Sequence, residues 1–162
     1  SNMNDKSYRK NVGLIVLNLK NELLVCRRKD QKSWQFPQGG IDSGESPRVA
    51  AYRELFEEVG VKQKDVKIIQ KSSHWYHYDL PQKYQNRSDS MKKFKGQTQK
   101  WFMFKANSEL EINLLNEIQQ EFIEYKWVSF WYPLSHIVAF KKDVYQDVLN
   151  EFLPKYIEVA NG

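Results

Sequence analysis

Apolar residues fall in short runs along the chain, and their spacing changes from run to run. Residues 12–17 are apolar. The polar-flanked Asn18-Leu19-Lys20-Asn21 follows, and then a second run over residues 22–26. That pattern predicts a β-hairpin. Residues 35–44 hold Pro37, Gly39, Gly40 and Gly44, which predicts a tight loop. Ser46-Pro47 then opens a helix, because a hydroxyl can accept from free N–H groups and proline loses nothing in a first turn. Gly60 is its stop, so the helix runs to Val59. Residues 66–78 and 100–105 read as extended, and residues 127–130 as a short aromatic-rich strand. Val144, Val148, Leu149 and Phe152 recur at helical spacing, so an amphipathic helix is predicted over residues 141–153, ending near Pro154. Strands and helices mix without regular βαβ alternation. One α/β domain on a mixed sheet, covering residues 3–162, is the expectation.

Composition narrows this picture. The 162 residues are 41% hydrophobic and 14% aromatic, enough for a core and too apolar for a chain that is mainly disordered. No run approaches the ~20 apolar residues that span a bilayer. The single cysteine, Cys26, excludes an internal disulfide or a cysteine-rich zinc site. The N-terminus lacks a charged-then-apolar leader pattern, and Ser1-Asn2 before Met3 reads as a tag remnant, so a cytoplasmic location is expected. The net charge is +5. Residues 80–96 concentrate it, with Lys83, Arg87, Lys92, Lys93 and Lys95 against Asp89, and with Tyr84 and Phe94 between the charges. Such a segment suits a polyanion, RNA or a polyphosphate.

The most informative stretch lies between Gly39 and Val61. On a helix turning ~100° per residue, Glu54, Glu57 and Glu58 share one face. Val49, Tyr52, Leu55, Phe56 and Val59 form the opposite, docking face. Like charges at this spacing repel, and a hard divalent cation such as Mg²⁺ or Mn²⁺ relieves the repulsion. Ala50 and Ala51 flank the acidic face and leave room for metal and phosphates. The glycines before the helix let backbone approach it. Glu45 is spaced to ion-pair with Arg53 and pin the loop to the helix.

Gly39, Glu45, Arg53-Glu54, Leu55, Glu57-Glu58, Gly60 and Val61 together resemble the signature of the Nudix hydrolases. The resemblance implies an α/β/α sandwich around a mixed sheet. It also implies hydrolysis of phosphoric anhydride bonds with Mg²⁺ or Mn²⁺, two or more ions. Glu54, Glu57 and Glu58 stand at the family's metal positions, helped by a backbone carbonyl near Gln38 or Gly39. Further blocks extend the likeness. Residues 8–13, 33–40, 99–102, 127–133 and 140–145 are similar to bacterial Nudix hydrolases that remove pyrophosphate from 5′-triphosphorylated RNA, leaving a 5′-monophosphate that favours decay. That group overlaps with dinucleoside polyphosphate hydrolases.

Where the group has Pro-Glu-Phe, this chain has Gln120-Glu121-Phe122. Glu121 is thus the fourth acidic ligand or a general base, with Glu117 and Glu124 nearby. One of Glu57, Glu58 and Glu121 takes the proton of the attacking water. Arg9, Arg28 and Lys100 are candidates for phosphate contacts. By resemblance, Arg28 and Phe140 sandwich an early base, with Ser33 and Lys141 near it. His74, His77 and His136 are scattered and read as structural or surface residues, and Cys26 as a small buried one. Two other activities fit the same residues: hydrolysis of diadenosine polyphosphates, and a non-catalytic RNA-binding module of the same fold.

Overall fold

The computed structural model describes residues 8–85, 94–116 and 120–162. Arg87, Asp89, Lys92, Lys93 and the side chain of Tyr84, from the basic segment, lie outside the described residues, as does Glu117. The strands are β1 (Tyr8–Leu17), β2 (Leu23–Arg28), β3 (Gln38–Gly40), β4 (Val66–Lys71), β5 (Tyr76–Asp79), β6 (Gly96–Ala106) and β7 (Phe122–Val128). The helices are α1 (Pro47–Val59), the single turn α2 (Gln82–Gln85) and α3 (Lys142–Ala160).

One sheet runs in the order β4-β6-β1-β2-β7, with β3 paired to β1 and β5 to β6. β1 and β6 are parallel, and the other pairs antiparallel. The mixed sheet is therefore as expected. Alternate residues of β1 serve different layers. Ile15 and Leu17 face a core that holds Val144, Val148, Leu149 and Phe152 of α3. Val12, Leu14 and Val16 face a second core that holds Ala50, Ala51, Leu55 and Val59 of α1. Helix, sheet and helix form three layers. Among the described residues, no helix is long and apolar enough to cross a membrane.

The predicted α1 is observed from cap to cap. Ser46 Oγ accepts from the Val49 N–H at 3.2 Å, and Gly60 closes the helix at φ 74°, donating to Phe56 O at 2.8 Å. A positive φ there costs glycine nothing. Three expectations are corrected. Residues 35–44 are not all loop, because Gln38–Gly40 pairs with Gly13, Val12 and Asn11 on the free side of β1. Residues 66–78 are two strands broken at Ser72, which is fully buried and whose Oγ donates to His74 O. The last helix does not end near Pro154 but runs through it to Ala160. Tyr156 explains the continuation: its ring packs 4.4 Å from that of Phe130, and its hydroxyl donates to Asn21 O at 3.2 Å.

Candidate active site

Helix α1 docks on a stripe different from the expected one. Its buried residues are Ala50, Ala51, Glu54, Leu55, Glu58 and Val59, while Val49 and Phe56 are 56% and 43% exposed. Ala50 and Ala51 are fully buried. They do not leave room for metal and phosphates; their small side chains let the helix approach the sheet. That close approach draws Glu54 and Glu58 inward, leaving them 8% and 2% exposed. Gly39 makes the inward position possible. A Cβ added there would lie 1.9 Å from the Glu54 carboxyl carbon.

Burying carboxylates is expensive unless cations or donors stand by. Arg53 is one such partner. Its guanidinium donates to Glu45 at 2.7 and 2.8 Å, to Gly40 O at 2.8 Å, to Glu54 at 3.0 Å and to Glu57 at 3.2 Å. The expected Glu45–Arg53 pair is therefore present and bidentate. Hydrogen bonds from Arg53 hold the Glu45 carboxyl well below the usual carboxylate range, at about 2. Because Arg53 reaches between Glu54 and Glu57, the three helix glutamates do not converge on one point. Among the described residues, no three acidic, histidine or cysteine side chains form a closed cage. The donor chemistry fits a hard divalent ion all the same. It is oxygen-only, two of its carboxylates are buried, and the Gly39 backbone lies against one of them.

Glu121 extends the acidic row toward Arg28. Burial opposes its ionisation, but the adjacent Glu58 carboxyl and the nearby Arg28 outweigh burial and lower its pKa. Arg28 Nη1 lies 2.9 Å from Glu121 Oε1, and its guanidinium lies 5.2 Å from the Phe122 ring. Glu124, the rival from sequence, is instead ion-paired with Arg27.

Beyond Arg28 lies Lys141, only 8% exposed, with Nζ 3.4 Å from Gln38 Oε1, 5.6 Å from the Tyr78 ring and 6.0 Å from the Phe140 ring. Burial first, and then the charge of Arg28, push its ammonium down to about 7. Phe140 packs 5.7 Å from Tyr78. Arg9 stands against Gly40, whose added Cβ would lie 2.2 Å from an Arg9 guanidinium nitrogen. Ser33 is half-buried ahead of Gln35, and Gln35 accepts from Arg28 at 3.2 Å. Arg28, Phe140 and Lys141 are thus brought into one neighbourhood. Lys100 is not part of it and lies on the opposite face of the sheet with Val12.

Sequence reasoning missed the buried amides that join this cluster. Gln97 Oε1 accepts from Gln38 at 3.0 Å and from Tyr78 Oη at 2.9 Å, and Gln99 donates to Gln38 at 3.2 Å. The available signal was Gln97 and Gln99 two apart, and so on one face, in a strand that continues into Trp101, Phe102, Met103 and Phe104. A separate depression of about 460 Å³ on the outer flank of α1, lined by Arg48, Tyr52, Phe56 and Lys62, is not part of the carboxylate row.

A family model described as the NUDIX domain matches residues 7–148. A curated relative from Yersinia enterocolitica serotype O:8 / biotype 1B, named RNA pyrophosphohydrolase, is 45% identical over 161 residues, covering 99% of this chain and 91% of its own length. One of the same name from Proteus mirabilis is 46% identical over 153 residues, covering 94% and 86%. Among solved structures, the E. coli dihydroneopterin triphosphate pyrophosphohydrolase superposes with a TM-score of 0.67 at 17% identity, over 90% of this chain and 99% of its own. A C. elegans Ap4A hydrolase complex gives 0.63 at 19%, over 91% and 98%. At these identities the two structures speak for the fold alone.

Proposed function

The chain belongs to the Nudix family, and from that premise we propose that it is a metal-dependent RNA 5′-pyrophosphohydrolase. It converts 5′-triphosphorylated RNA to the 5′-monophosphate in the cytoplasm, and so promotes mRNA decay. The observation that carries the reading is continuity: the acidic row of Glu54, Glu58 and Glu121 passes directly through Arg28 into a cleft holding Phe140 and Lys141. The relatives' name, shared over nearly the whole chain, supports it.

Glu54, Glu57, Glu58 and Glu121 would hold Mg²⁺ or Mn²⁺, two or more ions, which when bound screen the anhydride charge and acidify the attacking water. One of Glu57, Glu58 and Glu121 takes the proton of that water. Arg9 and Arg28 bind non-bridging phosphate oxygens. Arg28 and Phe140 offer flat faces to a base, and single-stranded bases are held by such faces. Lys141, its proton loosely held, gains charge as the polyphosphate arrives. Ser33 borders the same cleft.

The test is turnover of 5′-triphosphorylated RNA with Mg²⁺ or Mn²⁺, read beside diadenosine tetraphosphate. We expect the higher kcat/KM on RNA, and a loss of about 100-fold or more in kcat for Glu57→Gln, the size expected when a group that stabilises the transition state is removed. Intact RNA after incubation with the wild-type protein overturns the proposal. A preference for the dinucleotide replaces it with the dinucleoside polyphosphate reading, and binding without turnover replaces it with the RNA-binding module.

A further inference from the structure

Lys100 belongs to a surface apart from the cleft. Residues paired directly across a sheet project to the same face. His77 pairs with Thr98 and Thr98 with Lys10, which makes one row. Lys100 pairs with Val12 and Val12 with Gly39, which makes the next. Val12 faces the α1 layer, so both rows do. Trp75 joins them: Lys10 Nζ lies 5.6 Å and Lys100 Nζ 6.0 Å from its ring. The strip continues along the sheet through His77, whose ring is 5.2 Å from that of Tyr8, to Lys95, 5.3 Å over Tyr8.

Trp75 is 37% exposed, and Lys10, His77 and Lys95 are exposed. Among the described residues, none of the three lysines pairs with a carboxylate. An exposed indole between two uncommitted ammonium groups is what a single-stranded nucleic acid needs: a face for one base and cations for the phosphates beside it. The strip also leads to the acidic row. Gly39, two strand spacings or about 10 Å from Lys100, is the residue against which the Glu54 carboxylate packs.

We infer that this strip is a second RNA contact, which holds the strand 3′ of the reacting end with one base stacked on Trp75 and neighbouring phosphates on Lys10, Lys100 and Lys95. The inference rests on the proposed RNA substrate. It differs in binding nucleotides outside the Arg28–Phe140 cleft, and it makes affinity depend on RNA length.

The experiment measures Kd by fluorescence anisotropy with a 5′-hydroxyl RNA of about 12 nucleotides, a length within the range a stacking groove engages. The probe has no triphosphate and so reads the strip rather than the acidic row. Trp75→Ala is expected to weaken binding about fivefold or more, Trp75→Phe to retain most of it, and Lys10→Gln to reduce the salt dependence by about one phosphate contact. Both side chains are at the surface, and melting curves check the fold. Turnover of a triphosphorylated dinucleotide, which has no nucleotide beyond the base held at Arg28 and Phe140 to stack on Trp75, is expected to be unchanged in Trp75→Ala. An unchanged Kd in Trp75→Ala, or displacement of the RNA by polyglutamate as readily as by unlabelled RNA, overturns the inference. Failure of the wild-type protein to hydrolyse a triphosphorylated RNA of about 12 nucleotides instead overturns the hydrolase reading, so the two failures are told apart.

Discussion

Lys141 shows how one residue can be costly to the fold and useful to the site. Its amine is buried beside the charge of Arg28, and both effects lower its pKa, to about 7. In the unfolded chain it titrates near 10.4. Below pH 7 the folded protein holds the charge at its full penalty. Between pH 7 and about 10.4 the unfolded chain binds the proton that the folded one lacks, so stability rises with pH across that window. Lys141→Met removes the penalty. The variant is expected to melt several degrees above wild type at pH 6, with the gap shrinking by pH 9. KM for triphosphorylated RNA is expected to rise about tenfold, as the loss of one charge-assisted contact implies. Melting curves at the two pH values and steady-state kinetics check the pair. Equal melting points at pH 6 would mean that the ammonium is already well solvated. From sequence, Lys141 was a cation near a base; its burial depends on Tyr78 and Gln38, far away in the chain, and no local pattern announces it.

At the scale of elements, α1 was legible where local rules govern and misread where packing does. Ser46, Pro47 and Gly60 fixed its ends, because caps are satisfied within a turn. Its docking face was misread because a periodicity argument sets the glutamate face directly opposite the buried one. Here Ala50 and Ala51 bring the helix so close that Glu54 and Glu58 enter the interface. β3 was missed for a related reason. Three residues, two of them glycine, carry no strand pattern, and only the free side of β1 makes them a strand. The contact between β3 and α1 leads to a sharp expectation. In Gly39→Ala the new Cβ would overlap the Glu54 carboxyl. The end of a glutamate side chain can swing away at little cost in stability, but it then leaves its place. The melting point is expected to stay within a few degrees of wild type while kcat falls about 100-fold, the usual penalty for misplacing a reacting geometry by about 1 Å. A variant that keeps full kcat would remove Glu54 from the proposed metal-holding set.

At the scale of the molecule, the sheet separates two jobs. The helix glutamates of the acidic row hang from α1 on one face, and the cluster with Phe140 and Lys141 is built on the other, just ahead of α3. The amphipathic spacing of α3 was readable in the sequence; that it directly follows the segment Ala139–Lys141 and so sets that segment's position was not, because this is a matter of tertiary docking. Phe152 tests the division. It is fully buried in the α3 layer, and Phe152→Ala is expected to cost about 3–5 kcal/mol. At about 2–4 °C per kcal/mol for a chain of this size, the melting point should fall by about 6–20 °C. The loosened helix should let the Phe140–Lys141 segment drift, raising KM for triphosphorylated RNA. The α1 layer keeps its own contacts through Leu55, Val59, Val16 and Phe104, so divalent-ion affinity measured by calorimetry well below the melting point should not change. If ion affinity instead falls in step with the rise in KM, the two layers respond as one body and the separation of binding from metal holding is wrong.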